Sequence, residues 1–224
     1  PGTMSHPQPS RAMKSYILWD HDGVLVDTEH WYYEATRLAI QPLGVMLDKP
    51  RYLADMALGR PAWAQALALG ASEAEVAAHR QRRDELYQHF LRTEDIEIDG
   101  VCDVLAVLAR NYEMAIVTTA KRADFELIHR ERDIVKHMRF VLASGDYPRA
   151  KPAPDPYLAA LERFGASAQE AIVIEDSERG LAAAVAAGID CVVVDNAFVR
   201  GQNFSAATHR ISALGELPEL LASL

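Results

Sequence analysis

The chain has 224 residues, about one and a half times the length of an average domain, and half of its residues are hydrophobic. A quarter of the residues are charged, a balance that excludes a disordered or collagen-like chain. The formal net charge of −9 argues against nucleic acid and anionic membranes as partners, although a small anionic ligand can still bind at a local site.

The cysteines and the first residues bear on the compartment. Cys102 and Cys191 are too few for a disulfide framework and do not have the spacing of metal ligands. Residues 1–13 contain three prolines and no apolar segment typical of a signal peptide, so we interpret them as a flexible tail with a cloning remnant. No apolar run approaches the ~20 residues of a membrane span. We therefore expect a cytoplasmic protein.

Short apolar runs alternate with helical patterns along most of the chain. Runs rich in β-branched residues predict buried strands at 16–20, 114–119, 140–144, 171–174 and 191–195. Helical patterns begin at Val101, at Asp155 and after Ser177, and we predict that Asp155 and Ser177 cap their helices. Apolar strands that alternate with helices predict a parallel sheet covered on both faces.

A helical insertion interrupts this alternation. Residues 34–99 have no convincing strand pattern but contain two helical runs, at 61–69 and 72–92, and the pair Ser72 and Glu75 predicts a capping box. We therefore predict an α/β fold in three parts: a tail (1–13), a doubly wound, Rossmann-like parallel-sheet core (14–33 and 100–224) and an α-helical cap domain (34–99).

Two aspartates follow the first predicted strand. Asp20 ends the strand, Asp22 lies two residues further on, and Gly23 allows an abrupt turn. Ligands of parallel α/β sheets bind at the carboxyl ends of strands. One carboxylate there could attack phosphorus, and the second could protonate the leaving oxygen and then deprotonate water. A calcium loop or an ordinary turn has the same pattern. Strand alternation predicts that His21 points away from both aspartates and only packs.

Three further segments place polar residues at strand ends or before helices. Thr118 and Thr119 end the second strand, where hydroxyl and backbone N–H groups suit phosphate oxygens. Lys151 lies in a proline-restricted segment, where its ammonium group could neutralise a phosphate. Glu175 and Asp176 are adjacent acids whose oxygens suit Mg²⁺. Each feature alone also has an ordinary explanation as a strand end, a solvated lysine or a helix cap.

Taken in order, these four elements resemble the haloacid dehalogenase-like hydrolase superfamily. The similarity is to its phosphatase and β-phosphoglucomutase-like branch, which has a helical cap. It rests on the segments DxDGVLVDTE, AKPAPDPYL and IEDSERG and extends over about residues 16–195. The three segments together are specific, whereas none of them is specific alone.

The resemblance implies a role for each catalytic candidate. Asp20 would be the nucleophile, and Asp22 would be the general acid and base. Thr118 would bind the transferring phosphoryl group, with the backbone of Thr119 nearby. Lys151 would orient Asp20 and offset the phosphate charge. These roles agree with the needs of phosphoryl transfer, which are positioning and charge neutralisation.

The resemblance also implies Mg²⁺ as cofactor. Asp20, the backbone carbonyl of Asp22 and the carboxylate of Asp176 would bind the ion, with Glu175 as a less direct neighbour through water. In the cap, Arg60 is a candidate substrate-binding residue, although an arginine at an exposed helix start is equally ordinary. Arg83 is a weaker candidate for the cleft, because the basic cluster around it is typical of a solvated helix face.

We therefore expect a Mg²⁺-dependent phosphatase that hydrolyses a small phosphorylated metabolite, in the first instance a sugar phosphate, through an aspartyl-phosphate. The expected assembly is a monomer or weak homodimer. One alternative is a sugar phosphomutase of the β-phosphoglucomutase type. Such enzymes carry a histidine where this chain has Tyr32, and Gly-x-Ser-Arg where it has Gly59-Arg60-Pro61-Ala62. The other alternative is a catalytically silent ligand-binding member of the fold.

Overall fold

A parallel β-sheet forms the centre of the molecule. The computed structural model describes residues 12–224, so the tail predicted for 1–13 lies almost entirely outside the described residues. Within that range the sheet has six strands: β1 (Tyr16–Trp19), β2 (Glu113–Val117), β3 (Phe140–Leu142), β4 (Ala171–Glu175), β5 (Asp190–Val194) and β6 (His209–Ile211). Their order is β3-β2-β1-β4-β5-β6, and every neighbouring pair is parallel. This order confirms the doubly wound, Rossmann-like core.

Helices cover both faces of the sheet because successive strand residues point to opposite sides. In β1, Ile17 and Trp19 belong to one apolar cluster and Leu18 to the other. The helices that follow β1 and its helical insertion are α5 (Val101–Leu108), α6 (Arg122–His129), α7 (Asp155–Phe164), α8 (Glu178–Ala186) and α9 (Leu217–Ala222). The first cluster includes residues of α5, α6 and α9, and the second includes residues of α7 and α8.

The segment between β1 and β2 is helical, and we call residues 29–93 the helical insertion. Its helices are α1 (Glu29–Ile40), α2 (Lys49–Ala57), α3 (Ala64–Ala68) and α4 (Glu73–Thr93). They surround an apolar cluster of their own that contains Tyr33, Ile40 and Trp63. The predicted domain boundary at residue 34 falls inside α1. Within residues 12–224, no helix combines the length and the apolar composition that crossing a bilayer requires.

The predicted helix starts agree with the structure with two exceptions, of which the first is the run predicted from residue 61, whose helix α3 begins at Ala64. Ser72 and Glu75 form the predicted capping box, and Ser177 accepts a hydrogen bond from the backbone N–H of Gly180 at 3.1 Å. The prediction for Asp155 is wrong, because this residue is the first residue of α7 and Pro154 occupies the cap position. Four of the five predicted strands end one or two residues earlier than predicted, so that Asp20 and Thr118 leave the sheet. The exception is β4, which extends one residue further than predicted and includes Glu175.

Candidate active site

The predicted core residues meet at the carboxyl edge of the sheet. β1 lies between β2 and β4, which makes this the point where the strand order reverses. Asp20 follows β1, Thr118 follows β2, and Asp176 follows β4. The backbone N–H of Asp20 donates to the carbonyl of Ile174 at 2.9 Å, which fixes the aspartate beside the end of β4. In doubly wound folds this reversal point forms the ligand crevice.

Lys151 reaches this edge from the segment between β3 and α7. Its Nζ donates to Asp20 Oδ1 at 2.8 Å, to Glu175 Oε1 at 2.7 Å and to the carbonyl of Val117 at 2.9 Å. The side chain is buried. Burial alone would lower the pKa of Lys151, but the two carboxylates raise it above its ordinary value. Lys151 is therefore a fixed positive charge beside Asp20.

Glu175 is held on both oxygens by the protein. Its Oε1 accepts from Lys151 and from the Tyr157 hydroxyl at 2.5 Å, and its Oε2 accepts from the backbone N–H of Asp176 at 3.3 Å. Burial raises the pKa of Glu175 to about 7, with a further contribution from Asp20. A Cβ on Gly180 would overlap this carboxyl group. The hydrogen bonds and the close contact with Gly180 therefore fix the Glu175 carboxyl group beside Lys151.

A group of carboxylate oxygens at the same edge suits a metal ion. Asp20, Glu175 and Asp176 each offer an oxygen within 4.8 Å of the others. Asp176 Oδ2 accepts from Asn196 Nδ2 at 2.7 Å, whereas Oδ1 is buried and has no partner among the described residues. A buried carboxylate oxygen without a partner is costly, and a hard divalent cation would satisfy it. The residues present therefore fit a Mg²⁺-like ion.

The acids of this group are close enough to disturb one another's ionisation. Burial raises the pKa of Asp20 to about 6, although Lys151 opposes the shift. Burial and the nearby Glu29 carboxyl raise the pKa of Asp176 well above its ordinary value. Burial also raises the pKa of Glu29 to about 8. The ionised carboxylates also repel one another, and a bound cation would reduce this repulsion.

Asp22 occupies a tight turn next to this group. Gly23 has a φ of +81°, and a Cβ there would overlap Asp176, so glycine is required at this point. Thr28 Oγ1 donates to Asp22 Oδ1 at 2.5 Å, and Thr118 Oγ1 donates to Oδ2 at 3.4 Å. Burial alone would raise the pKa of Asp22, but His21 and the hydrogen bonds lower it to about 2.

The prediction that His21 only packs is partly wrong. The ring is fully buried and lies 4.8 Å from the ring of Phe125, as a packing residue would. Its Nδ1, however, lies 3.3 Å from Asp22 Oδ2, and its Nε2 lies 2.7 Å from His129 Nε2. The alternation argument fails because β1 ends at Trp19, and the turn after it sets the direction of His21.

The two remaining candidates lie at the margin of the site. Thr119 Oγ1 accepts a long hydrogen bond of 3.4 Å from Arg179. Arg60 is exposed, on a loop of the helical insertion that touches the core where Gly59 meets Pro152. The structure thus brings the Arg60 loop to the segment that carries Lys151.

Residues of α4 connect the helical insertion to the core. Arg83 is buried, with its guanidinium 4.7 Å from the ring of Tyr32 and its Nε 2.8 Å from Asp84 Oδ1. Asp84 Oδ2 accepts a hydrogen bond from Lys121 Nζ at 2.6 Å, and Lys121 belongs to the core, three residues after Thr118. Arg83 therefore does not belong to a solvated helix face. No sequence pattern pointed to Asp84 and Lys121, because they meet only in the folded chain.

Asn196 is a further residue that the sequence analysis missed. Its Nδ2 donates to Asp176 Oδ2 and, at 3.4 Å, to Glu29 Oε2, while its Oδ1 accepts from the backbone N–H of Phe198. An asparagine after a strand is an ordinary turn residue, so the sequence carried no signal for this contact.

Comparisons with known proteins identify the family of this chain. The sequence model of the haloacid dehalogenase-like hydrolase family matches residues 17–194. Protein CbbY of Rhodobacter capsulatus is 31% identical over 225 residues, which cover 91% of this chain and 97% of CbbY. The fructose-1-phosphate phosphatase YqaB of Escherichia coli (strain K12) is 28% identical over 181 residues, which cover 80% of this chain and 95% of YqaB.

A solved structure has the same fold. It is a variant of CbbY from Rhodobacter sphaeroides in complex with xylulose-(1,5)bisphosphate, and it is 24% identical to this chain. Its TM-score is 0.77, and the match covers 92% of this chain and 96% of that one. The chain therefore belongs to the haloacid dehalogenase-like hydrolase family, in its phosphatase branch. It is an enzyme, a phosphatase.

Proposed function

We propose that this phosphatase is Mg²⁺-dependent and hydrolyses a phosphorylated carbohydrate through an aspartyl-phosphate on Asp20. The observation that carries the proposal is the position of Asp20. It contacts the buried cation Lys151 on one side, and it lies within 4.8 Å of a carboxylate oxygen of Asp176. The carbohydrate is supported by the relatives, since YqaB acts on fructose-1-phosphate.

Asp20 would attack the phosphorus of the bound ester, forming an acyl-phosphate bond as the bond to the ester oxygen breaks. Asp22 would donate a proton to that oxygen, and the alcohol would leave. Because Asp22 is ionised in the free protein, it must first take up a proton. The arrival of an anionic phosphate favours this step, since a nearby negative charge raises a carboxyl pKa.

The second half returns the protein to its starting state. Asp22 would accept a proton from water while the water oxygen attacks phosphorus, and the bond to Asp20 would break to release phosphate. Asp22 would then lose this proton to solvent, which restores the ionised carboxylate of the free protein. The hydroxyl of Thr118 and the backbone of Thr119 would bind the phosphoryl oxygens. Lys151 would stabilise their charge throughout, because its position is fixed by three hydrogen bonds.

Asp20, Asp176 and the backbone carbonyl of Asp22 are the groups that would hold Mg²⁺. When bound, the ion supplies positive charge that reduces the repulsion between the Asp20 carboxylate and the phosphate. Glu175 would contribute mainly by holding Lys151, because both of its oxygens already have partners. The helical insertion would act as a cap that excludes water, with Arg60 and Arg83 facing the substrate.

The observation that disfavours a phosphomutase is the surroundings of Tyr32. Its ring packs edge-on against Tyr87 at 5.0 Å and stacks with the guanidinium of Arg83. Tyr32 thus helps to build the helical insertion and supplies no imidazole for proton transfer to a second sugar phosphate. The cytoplasmic location and the monomer or weak homodimer state remain predictions.

The first prediction concerns the nucleophile. Asp20→Asn should reduce Mg²⁺-dependent phosphate release from sugar phosphates to below about one thousandth of the wild-type rate, since an amide cannot attack phosphorus. The measurement is phosphate release over a panel of sugar phosphates, phosphoglycolate and nucleotides, with and without EDTA.

The matched control for this prediction is Asp103→Asn, an exposed acid in α5 that should keep full activity. Full activity of Asp20→Asn would contradict the nucleophile assignment. A wild-type protein that interconverts sugar monophosphates without releasing phosphate in proportion would instead favour the mutase.

A further inference from the structure

Two histidines that take no part in the proposed chemistry lie directly behind Asp22. His21 is in the turn after β1, and His129 is the last residue of α6. We propose that they are positioning residues: His129 donates its Nε2–H to His21 Nε2, and His21 directs its Nδ1–H at Asp22 Oδ2. The consequence for catalysis rests on the proposed role of Asp22, but the arrangement of protons does not.

The geometry of the pair leaves little freedom. The two Nε2 atoms are 2.7 Å apart, which is a hydrogen-bond distance, so one nitrogen carries a proton and the other accepts it. Phe125 packs against both rings, at 4.8 Å from His21 and 4.5 Å from His129. The His21 side chain is completely buried, so water cannot substitute for either partner.

The direction of the shared proton follows from what faces each Nδ1. His21 Nδ1 lies 3.3 Å from Asp22 Oδ2, and neither Nδ1 has a well-directed hydrogen bond to any described residue. Between the two neutral tautomers of His21, the one that donates to His129 would leave its Nδ1 lone pair facing the Asp22 carboxylate, and His129 would keep a buried N–H without a partner. If His129 donates to His21, the Nδ1–H of His21 faces the Asp22 carboxylate. Only the Nδ1 acceptor of His129 then stays without a partner among the described residues.

The ionisation of His129 supports this assignment. Burial lowers the pKa of His129 to about 3, and the positive charge of the nearby Arg132 acts in the same direction. The ring is therefore neutral in neutral solution and has one N–H to give. A neutral imidazole whose one proton lies on Nε2 fixes the tautomer of the histidine that accepts it.

The contact matters because of what holds the other side of Asp22. Thr28 donates to Oδ1, and the Nδ1–H of His21 would hold Oδ2, so that both carboxylate oxygens are oriented. The distance of 3.3 Å is long, and a small rotation of Asp22 would align the bond when substrate is present. A carboxylate held in this way affects the proton-transfer rate rather than the binding of substrate.

The first test reads the protons directly. Long-range ¹H–¹⁵N spectra of the full chain, labelled with ¹⁵N-histidine, show which nitrogen of each ring carries hydrogen. The signals are assigned from their loss in His21→Asn and in His129→Gln. We expect His21 to carry its proton on Nδ1 and His129 on Nε2. A proton on His21 Nε2 would overturn the proposal, whether or not the protein hydrolyses any phosphate ester.

The second test separates positioning from packing. His21→Leu keeps the volume but removes both nitrogens, and it should lower kcat about tenfold with little change in KM. His21→Asn restores an N–H close to the place of Nδ1 and should recover most of the loss. His129→Gln, which keeps a donor near Nε2, should lose less than His129→Leu.

The pair should also act as a unit. In the His21→Asn background, His129→Leu should cost no further activity, because the link to Asp22 has already been replaced. Equal losses in His21→Leu and His21→Asn, or losses confined to KM, would mean that His21 only fills space. Thermal unfolding of each variant identifies any that fail to fold.

Discussion

At the scale of single residues, the contact between Lys151 and Glu175 determines the electrostatics of the site. An isolated buried lysine would tend to lose its proton, and an isolated buried glutamate would tend to gain one. Their contact at 2.7 Å opposes both tendencies, and Lys151 donates two further hydrogen bonds, to Asp20 and to the carbonyl of Val117. The sequence indicated both residues but not their contact, because 24 positions separate them.

The prediction at this scale concerns Gly180, which lies against Glu175. In an exposed helix, a change from glycine to alanine would stabilise by about 1 kcal/mol. Here the added Cβ would overlap the Glu175 carboxyl group, and overpacking of a core typically costs about 1–3 kcal/mol. We therefore expect Gly180→Ala to lower both the Tm and kcat, because Glu175 must move away from Lys151.

Thermal unfolding and phosphate release measure these two effects. The matched control is Gly215→Ala, where the added Cβ meets no atom within 4 Å. A Gly180→Ala protein as stable and as active as this control would show that Glu175 has room to move.

At the scale of elements, sequence reasoning located the strands better than the helices that cover them. Five strands follow from their apolar runs, and the polar residues after them are the site. β6, α2, α6 and α9 were not predicted, because each is short. The helix α1 was not predicted either, and it crosses the predicted boundary between the core and the cap. His129, at the end of α6, was therefore out of reach, although it contacts His21 across 108 positions.

His129, the last residue of α6, should make the stability of the folded chain depend on pH. The pKa of His129 is lowered to about 3 in the folded chain, from an ordinary value of 6.5. The unfolded chain therefore binds more protons between these two values, and the stability that neutral His129 contributes is lost as the pH falls through this window. His129→Gln removes this dependence, so its Tm should fall less between about pH 7 and about pH 5 than the wild-type Tm.

The size of this effect is bounded. One proton contributes at most about 1.4 kcal/mol per pH unit, and less is expected because the His129 ring is partly exposed. The control is His89→Gln, an exposed histidine of α4, which should follow the wild-type curve. Parallel curves for wild type and His129→Gln would show that folding does not lower the pKa of His129.

At the scale of the whole molecule, the net charge of −9 and an anionic substrate are compatible because the acids are not evenly placed. Asp20, Glu175 and Asp176 share one edge of the sheet, where the charges of Lys151 and a bound divalent cation would together offset the three carboxylates. The net charge of the whole chain therefore does not predict the sign of the charge on the substrate.

The prediction at this scale is that Mg²⁺ stabilises the folded chain. At one hundred times its Kd, a ligand of the folded state contributes about 2.7 kcal/mol, which for a chain of this size is roughly 5–10 °C in Tm. Thermal unfolding with Mg²⁺ and with EDTA measures the difference. Asp176→Asn should abolish most of it, and Asp103→Asn should not. An equal response of the two variants would exclude Asp176 as a ligand.

The connection between the core and the helical insertion has a mechanical consequence. Thr28 is the cap residue at the start of α1, and the same residue donates to Asp22. Next to it, the backbone N–H of Asp27 donates to the carbonyl of Ile96 at 2.9 Å, so the outgoing and returning chains are joined side by side. A rotation of the helical insertion that reorients α1 would therefore also change the geometry of the hydrogen bond from Thr28 to Asp22. The orientation of the Asp22 carboxylate and the position of the helical insertion over the cleft are therefore coupled through Thr28.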